Sequence, residues 1–391
     1  MSIALLPSLA ATLLAFGVLY GLWPAIRQRK AMLAYWATAI VVHAGWMIVG
    51  RGRVGTIGAG LKILAAVWVV TVVLTVLIGA PTLLIRTIVQ RTRRALTRKP
   101  ATEVDQQRRS FLKGATVPTV AIASGVAGAI GGLSQFVIKR EEVVIRGLPQ
   151  AFDGLRIGQI TDLHVGAFID PIHVRHVIDA LNEEEVDLQV MTGDLLDHAS
   201  LIEPVFSQLE RCTAPLGMLA ILGNHEKRRG LEAIFAAYRQ AESRGVVRLL
   251  VDQSTLLLHK GARLRVVGVD YPMSPGGNHA VSRARRDAFM KTSADRAFVN
   301  VMPGETVLCL SHHPDFFPVA AERGAHLTLA GHTHGGQVAF FGTPLFSFFH
   351  YILGRYKLGD AHLYVSGGTG HWLPLRIGVP AEVTILTLRA G

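Results

Sequence analysis

The chain has 391 residues, half of them hydrophobic, with a formal net charge of +12 and 2 cysteines. That length holds one catalytic domain and a further segment. Two cysteines with no C-x-x-C give no redox or thiolate zinc motif, and leave Cys212 and Cys309 as expected free thiols, with a single disulfide between them the alternative. Residues 1–139 carry 16 basic and 2 acidic side chains; the rest carry 24 and 26. The basicity therefore belongs to the N-terminal segment and is not the basic face of a nucleic-acid-binding domain.

Taken in chain order, residues 3–25, 31–50 and 63–85 are uncharged stretches near the ~20 residues a membrane-spanning helix needs. They predict three transmembrane helices over 1–85, with His43 as a helix-packing residue. Residues 86–113 follow as a basic linker with nine basic and two acidic side chains, expected on the cytoplasmic side. The linker ends in Arg108-Arg109-Ser110-Phe111-Leu112-Lys113, which resembles a twin-arginine export signal and would make the export machinery a partner. A fourth, weakly apolar segment at 114–138 would act as signal or anchor. The expected topology is a multi-pass protein of the cell membrane, touching the lipid bilayer, with everything after residue 139 on the extracytoplasmic side.

From 139 to 391 the pattern changes to strand-length apolar runs alternating with helical ones, which predicts an α/β domain with buried sheets. Strands are expected at 155–161, 187–192, 217–222, 264–269, 306–311, 326–330, 362–366 and 383–388. Helices are expected at 171–184, 201–211, 230–245, 280–290 and 315–323. Five of the strands end in polar clusters. These are Thr161-Asp162-Leu163-His164, Thr192-Gly193-Asp194-Leu195-Leu196-Asp197, Leu222-Gly223-Asn224-His225-Glu226, Ser311-His312-His313-Pro314-Asp315 and Gly331-His332-Thr333-His334. Sites in α/β folds collect outside the carboxyl ends of strands.

Each cluster alone is an ordinary turn; the ordered set is metal-ligand chemistry. In extended chain the side chains of Asp162 and His164 would point the same way, as would those of His332 and His334, so each pair could reach an ion. Asp194 can bridge two cations, and the glycines would leave the backbone room around them. Nitrogen and oxygen donors without thiolate suit Mn, Fe or Zn.

The series D-x-H, G-D-x-x-D, G-N-H-E, a late strand-end His and G-H-x-H resembles the calcineurin-like metallophosphoesterase superfamily. The phrases ITDLHVG, SHHPD and GHTHGGQ resemble its bacterial membrane-associated and exported branch. The resemblance covers about 142–389. It implies a four-layer (α-β-β-α) sandwich of two mixed sheets and a dinuclear metal centre. Asp162, His164 and His334 would hold the first ion. Asn224, His332 and His312 would hold the second, with His313 the alternative to His312 and Asp194 bridging both. His225 would contact the phosphoryl group and serve the leaving group, and Asp197 would orient a ligand or loop. The implied activity is phosphoester hydrolysis by a metal-activated hydroxide. The aromatic stretch 340–354 suggests a lipid-linked or cell-envelope phosphoester as substrate. The alternative is a membrane sensor that binds a phosphorylated ligand without turnover; the filled ligand set argues against it. A metallo-β-lactamase reading fails, because Gly335-Gly336 follow His334 where H-x-H-x-D-H is needed.

Overall fold

The structure is a computed structural model that describes residues 2–49, 56–96, 136–166, 168–228, 230–273, 282–337, 339–340, 343–344, 349–371 and 376–391. The chain divides into two compact units, one built on the N-terminal helices and one beginning at Gln135.

The first unit contains α1 (Ser2–Leu22), α2 (Arg29–Val49) and α3 (Thr56–Leu96). Among the described residues, no helix is long and apolar enough to cross a membrane. This overturns the expected transmembrane helices, and with them the multi-pass membrane location and the extracytoplasmic placement of the second unit. The physical reason lies in what an uncharged run can do: its apolar side chains serve helix–helix packing as readily as lipid. Val18, Leu22, Val42, Val69 and Val72 are buried. Polar groups inside the runs satisfy one another. Trp68 Nε1 donates to Thr12 Oγ1 at 3.2 Å, the Tyr35 hydroxyl to the Thr12 carbonyl at 2.7 Å, and His43 pairs with Ser8 Oγ at 3.1 Å. The third stretch is part of one helix that continues past Pro81 into Arg86, Arg91, Arg93 and Arg94. The twin-arginine-like motif and most of 114–138 lie outside the described residues; 136–138 already belong to the first strand.

The second unit carries β1 (Phe136–Ile145), β2 (Arg156–Ile160), β3 (Leu188–Thr192), β4 (Met218–Ile221), β5 (Arg248–Leu249), β6 (Gln253–His259), β7 (Ala262–Gly268), β8 (Thr306–Leu310), β9 (Leu327–Ala330), β10 (Ala339–Phe340), β11 (Thr343–Pro344), β12 (Gly354–Leu358), β13 (Ala361–Val365) and β14 (Ala381–Ala390). One six-stranded sheet has the order β1-β14-β2-β3-β4-β5, the other β12-β13-β9-β8-β7-β6, and β10 pairs with β11. Both large sheets are mixed. In the first, β2, β3, β4 and β5 run parallel and β14 pairs antiparallel with β2. In the second, β7, β8, β9 and β13 run parallel between the antiparallel edges β6 and β12.

The sheets pack face to face through Ile157, Leu188, Val190, Leu219, Ile221, Leu264, Val266, Leu308, Leu310, Leu329 and Leu386. The outer face of the first sheet is covered by helices at Pro171–Glu183, Ile202–Leu209 and Leu231–Ser243, which supply Val174, Val177, Leu181, Val205, Ile234 and Tyr238. The second is covered by Arg283–Ala297 and Phe317–Glu322 through Met290, Ala294 and Ala320, with Phe316 added from the turn before the latter helix. The result is the expected α-β-β-α layering. Strands buried on both faces read as continuous apolar runs, which is why β2, β3, β4, β8 and β9 stand where the sequence places them. Cys309 is buried and Cys212 half-buried, both free.

Candidate metal centre

The five polar clusters meet at the carboxyl ends of β2, β3, β4, β8 and β9, where the sheets abut. Two groups of donors result. In the first, His164 Nε2 lies 3.1 Å from His334 Nε2 and 3.8 Å from Asp162 Oδ1, and His334 Nε2 lies 3.4 Å from the same oxygen. In the second, His312 Nε2 lies 3.2 Å from each of Asp194 Oδ2, Asn224 Oδ1 and His332 Nδ1. Asp194 Oδ2 is also 3.6 Å from His164 Nε2, so one carboxylate oxygen stands between the groups.

The backbone reaches this arrangement differently from the extended alternation expected of it. Asp162, His164, Asp194, His332 and His334 all have positive φ, between 50° and 72°. Left-handed backbone at a residue with a Cβ costs ~1–3 kcal/mol each, and persists where surrounding contacts over-determine it. Those contacts are present. Asp162 N–H donates to the Gly193 carbonyl and His164 N–H to the Asp194 carbonyl, each at 3.0 Å, and His332 N–H donates to Asp162 Oδ2 at 2.8 Å. The glycines also act otherwise than expected. A Cβ on Gly223 would stand 2.1 Å from Asp194 Oδ1, and one on Gly331 2.1 Å from Thr161 Oγ1. They let neighbouring loops touch, rather than making room for ions.

Sequence reasoning missed the residue that clamps these loops. Glu226 is buried and accepts from Gly223 N–H at 2.8 Å, Asp194 N–H at 3.1 Å and Leu195 N–H at 2.5 Å. Burial, and next the Asp194 charge, raise its carboxyl above the ordinary value. The motif G-N-H-E contains this residue, but nothing in the sequence distinguishes a clamp from a helix-turn Glu.

A second tier of contacts aims the rings. Asp197 Oδ1 accepts from His164 Nδ1 at 3.1 Å and from His225 Nδ1 at 2.6 Å. The Thr192 carbonyl accepts from His312 Nδ1 at 2.7 Å, so the lone pair at Nε2 faces inward. The Tyr271 hydroxyl is 3.2 Å from His332 Nε2, which turns Nδ1 to the donors, and Arg376 Nη2 is 3.3 Å from His334 Nδ1. Neither Tyr271 nor Arg376 carries a sequence signal, since neither lies in a motif. His313 sits apart from the donors; its Nδ1 accepts from Asp315 N–H at 3.2 Å and caps a short 3-10 turn.

This donor set fits divalent cations. Ligands ~2.0–2.2 Å from an ion stand roughly 3–3.5 Å from one another, close to the spacings above. Asp162 Oδ1 is buried without a hydrogen-bond partner, and the ring nitrogens of His164 and His334, and of His312 and His332, meet 3.1–3.2 Å apart, a spacing that needs a proton or a cation between them. Burial, then His312 and His313, hold His332 well below its ordinary value, and burial drives His334 down to about 3, so both are neutral donors. Burial opposes charge on His312, yet Asp194 and Asp162 push it up to about 9. Asp162 is held below the ordinary carboxylate range by His334 and His312 although burial alone would raise it. The carboxylates thus draw cationic charge to the place where an ion would supply it.

Residues 155–336 match the Calcineurin-like phosphoesterase family. An uncharacterized metallophosphoesterase of Bacillus subtilis, YkuE, is 31% identical over 300 residues, covering 72% of this chain and 98% of that protein. The chain is 28% identical over 238 residues to the phosphodiesterase YaeI of Escherichia coli, covering 59% of this chain and 80% of that one. A Bos taurus protein named as a transmembrane protein with a metallophosphoesterase domain is 24% identical over 303 residues, covering 74% of this chain and 65% of that protein. The chain belongs to the calcineurin-like phosphoesterase family and is a metal-dependent phosphoesterase.

Proposed function

We propose that the protein hydrolyses phosphodiesters at a centre in which Asp162, His164 and His334 hold one ion, Asn224, His312 and His332 hold another, and Asp194 is shared. The observation that carries this reading is the position of Asp194 Oδ2, 3.6 Å from His164 Nε2 and 3.2 Å from His312 Nε2. Two divalent ions there would supply Lewis-acid charge to the phosphoryl oxygens and make water acidic enough to attack near neutral pH. The chain's own residues do the rest. Asp197 fixes the His225 ring through Nδ1, and leaves Nε2 to hold a proton and pass it to the departing alkoxide. The His225 main-chain N–H, donated to Asp194 Oδ1 at 2.8 Å, ties the backbone of that residue to the shared carboxylate.

The preference for diesters rests on the Escherichia coli relative, which is named a phosphodiesterase. The centroid of the Phe349 ring lies 5.1 Å from that of His332 and 5.6 Å from that of His313, an apolar wall beside the second donor group. A phosphoester with an apolar alcohol, of which a lipid-linked one is an example, suits that wall. The test is turnover of an aryl phosphodiester and the matching monoester by the full chain with Mn²⁺. The diester is expected to react faster, and Asp194→Asn to lower kcat/KM about a thousand-fold. Metal-loaded protein that cleaves neither ester would defeat the proposal.

A further inference from the structure

Arg376 stands directly behind the first donor group. It is buried, its donors go to main-chain carbonyls, and its Nη2 stands 3.3 Å from His334 Nδ1. Nη1 donates to Gly367 at 2.9 Å, Val379 at 3.3 Å and Pro380 at 3.4 Å; Nη2 donates to Gly368 at 3.2 Å and to Gly370. Nε has no hydrogen-bond partner. Among the described residues, no carboxylate forms an ion pair with it, the nearest opposing charges being the longer-range fields of Asp162 and Glu382. A buried guanidinium without a paired carboxylate is costly, and tying carbonyls together does not by itself require a charge.

What the side chain gathers explains its place. The segment Ser366–Gly370 lies against the first donor group. Thr369 N–H donates to the Thr161 carbonyl at 2.8 Å and Gly370 N–H to the Asp162 carbonyl at 3.0 Å. A Cβ on Gly368 would come within 3.1 Å of both Asp162 Cβ and His334 Nδ1. Arg376 joins this segment, the carbonyls of Val379 and Pro380, and the outer edge of the His334 ring. His334 itself has left-handed backbone, φ 50°, and needs such support.

We infer that Arg376 is a positioning residue for the first ion: by gathering the Ser366–Gly370 segment against the outer edge of the His334 ring, it keeps that ring with Nε2 toward Asp162 and His164. The inference rests on the proposed two-ion centre. The second donor group has no contact with Arg376 among those described, so the effect is selective.

The experiment compares the full-length parent with Arg376→Met and Arg376→Lys. Mn²⁺ binding is followed by calorimetry, and the bound ions by electron paramagnetic resonance, where a coupled pair and a single ion give different spectra. The metal-free proteins are melted in parallel. Arg376→Met, which strips a donor from five carbonyls, is expected to melt below the parent without metal; at a temperature where the metal-free variant is folded it is expected to bind one of two ions at least ten-fold more weakly and to show the single-ion spectrum. Arg376→Lys, which keeps charge with shorter reach, is expected to recover part of the lost affinity. Two ions bound with parental affinity in both variants would overturn the inference. So would equal weakening of both ions in Arg376→Lys. A parent that binds no coupled pair would instead refute the two-ion centre, a result visible before any variant is made.

Discussion

Behind the first donor group the partners of the imidazoles are charged: the Asp197 carboxylate takes His164 Nδ1–H, and the Arg376 guanidinium faces His334 Nδ1. Behind the second they are neutral: the Thr192 carbonyl takes His312 Nδ1–H, and the Tyr271 hydroxyl meets His332 Nε2. Both arrangements orient a ring. Only a charged partner also changes strongly how much electron density the ring offers an ion, because fields act with little screening in a buried site. The first position should therefore respond to changes in its surroundings more than the second, and Asp197 most of all, since it serves His164 and His225 together.

Asp197→Ala carries the largest expected effect. It removes the orientation of His225, the proposed proton donor, and of His164, a proposed ligand, at once, and kcat is expected to fall by about a thousand-fold or more. A loss under ten-fold would show that the shared carboxylate oxygen is incidental. Glu226→Ala comes next, and strikes the backbone beneath both groups. Four buried N–H groups, of Asp194, Leu195, Leu196 and Gly223, lose their acceptor, at ~1–3 kcal/mol each before relaxation. Denaturant unfolding should show a loss of about 3–5 kcal/mol; an unchanged midpoint would remove the clamp from the account.

Tyr271→Phe sharpens the contrast from the neutral side. Titration with Mn²⁺ should show the second ion weakened by no more than about ten-fold. If this variant weakens the second ion more than Asp197→Asn weakens the first, the comparison is reversed. The smallest effect lies away from the site. Glu184 accepts from Arg140 and, at 2.8 Å, from Arg156, and Arg140 chiefly holds its carboxyl below the ordinary value. A folded value below the unfolded one gives stability that is present above the ordinary carboxylate range and lost as pH falls through the folded value. Solvent screens this exposed pair. Melting of Glu184→Gln should thus differ slightly from the parent at pH 7 and not at all in strong acid; a gap that widens on acidification would contradict the assignment.

Much of the second unit is legible in the sequence, and the pattern of what is not has a single cause. The interior strands β2, β3, β4, β7, β8, β9, β13 and β14 bury both faces and announce themselves as apolar runs. The four edges escaped: β1 (FVIKREEVVI), β5, β6 (QSTLLLH) and β12 (GRYKL). Edge strands carry charge and polarity that discourage further pairing, which erases the signal a strand search relies on. The motif residues of the site were visible because ligand chemistry demands particular side chains at strand ends. Tyr271 and Arg376 were not, since any residue that presents a hydroxyl or a guanidinium at the right point in space would do. Periodicity alone misjudged the backbone: left-handed Asp162, His164, His332 and His334 do not follow from D-x-H and H-x-H spacing. It misjudged the first unit too, where uncharged stretches were read as spans although hydropathy does not distinguish lipid from a neighbouring helix.

The central claim is that the two donor groups hold a pair of ions with Asp194 between them. Anomalous diffraction from crystals of the full chain grown with Mn²⁺ tests it directly. The account predicts two peaks, one enclosed by Asp162, His164 and His334 and the other by Asn224, His312 and His332, both beside Asp194. A single peak at full Mn²⁺ saturation, or two that leave Asp194 unliganded, would contradict it.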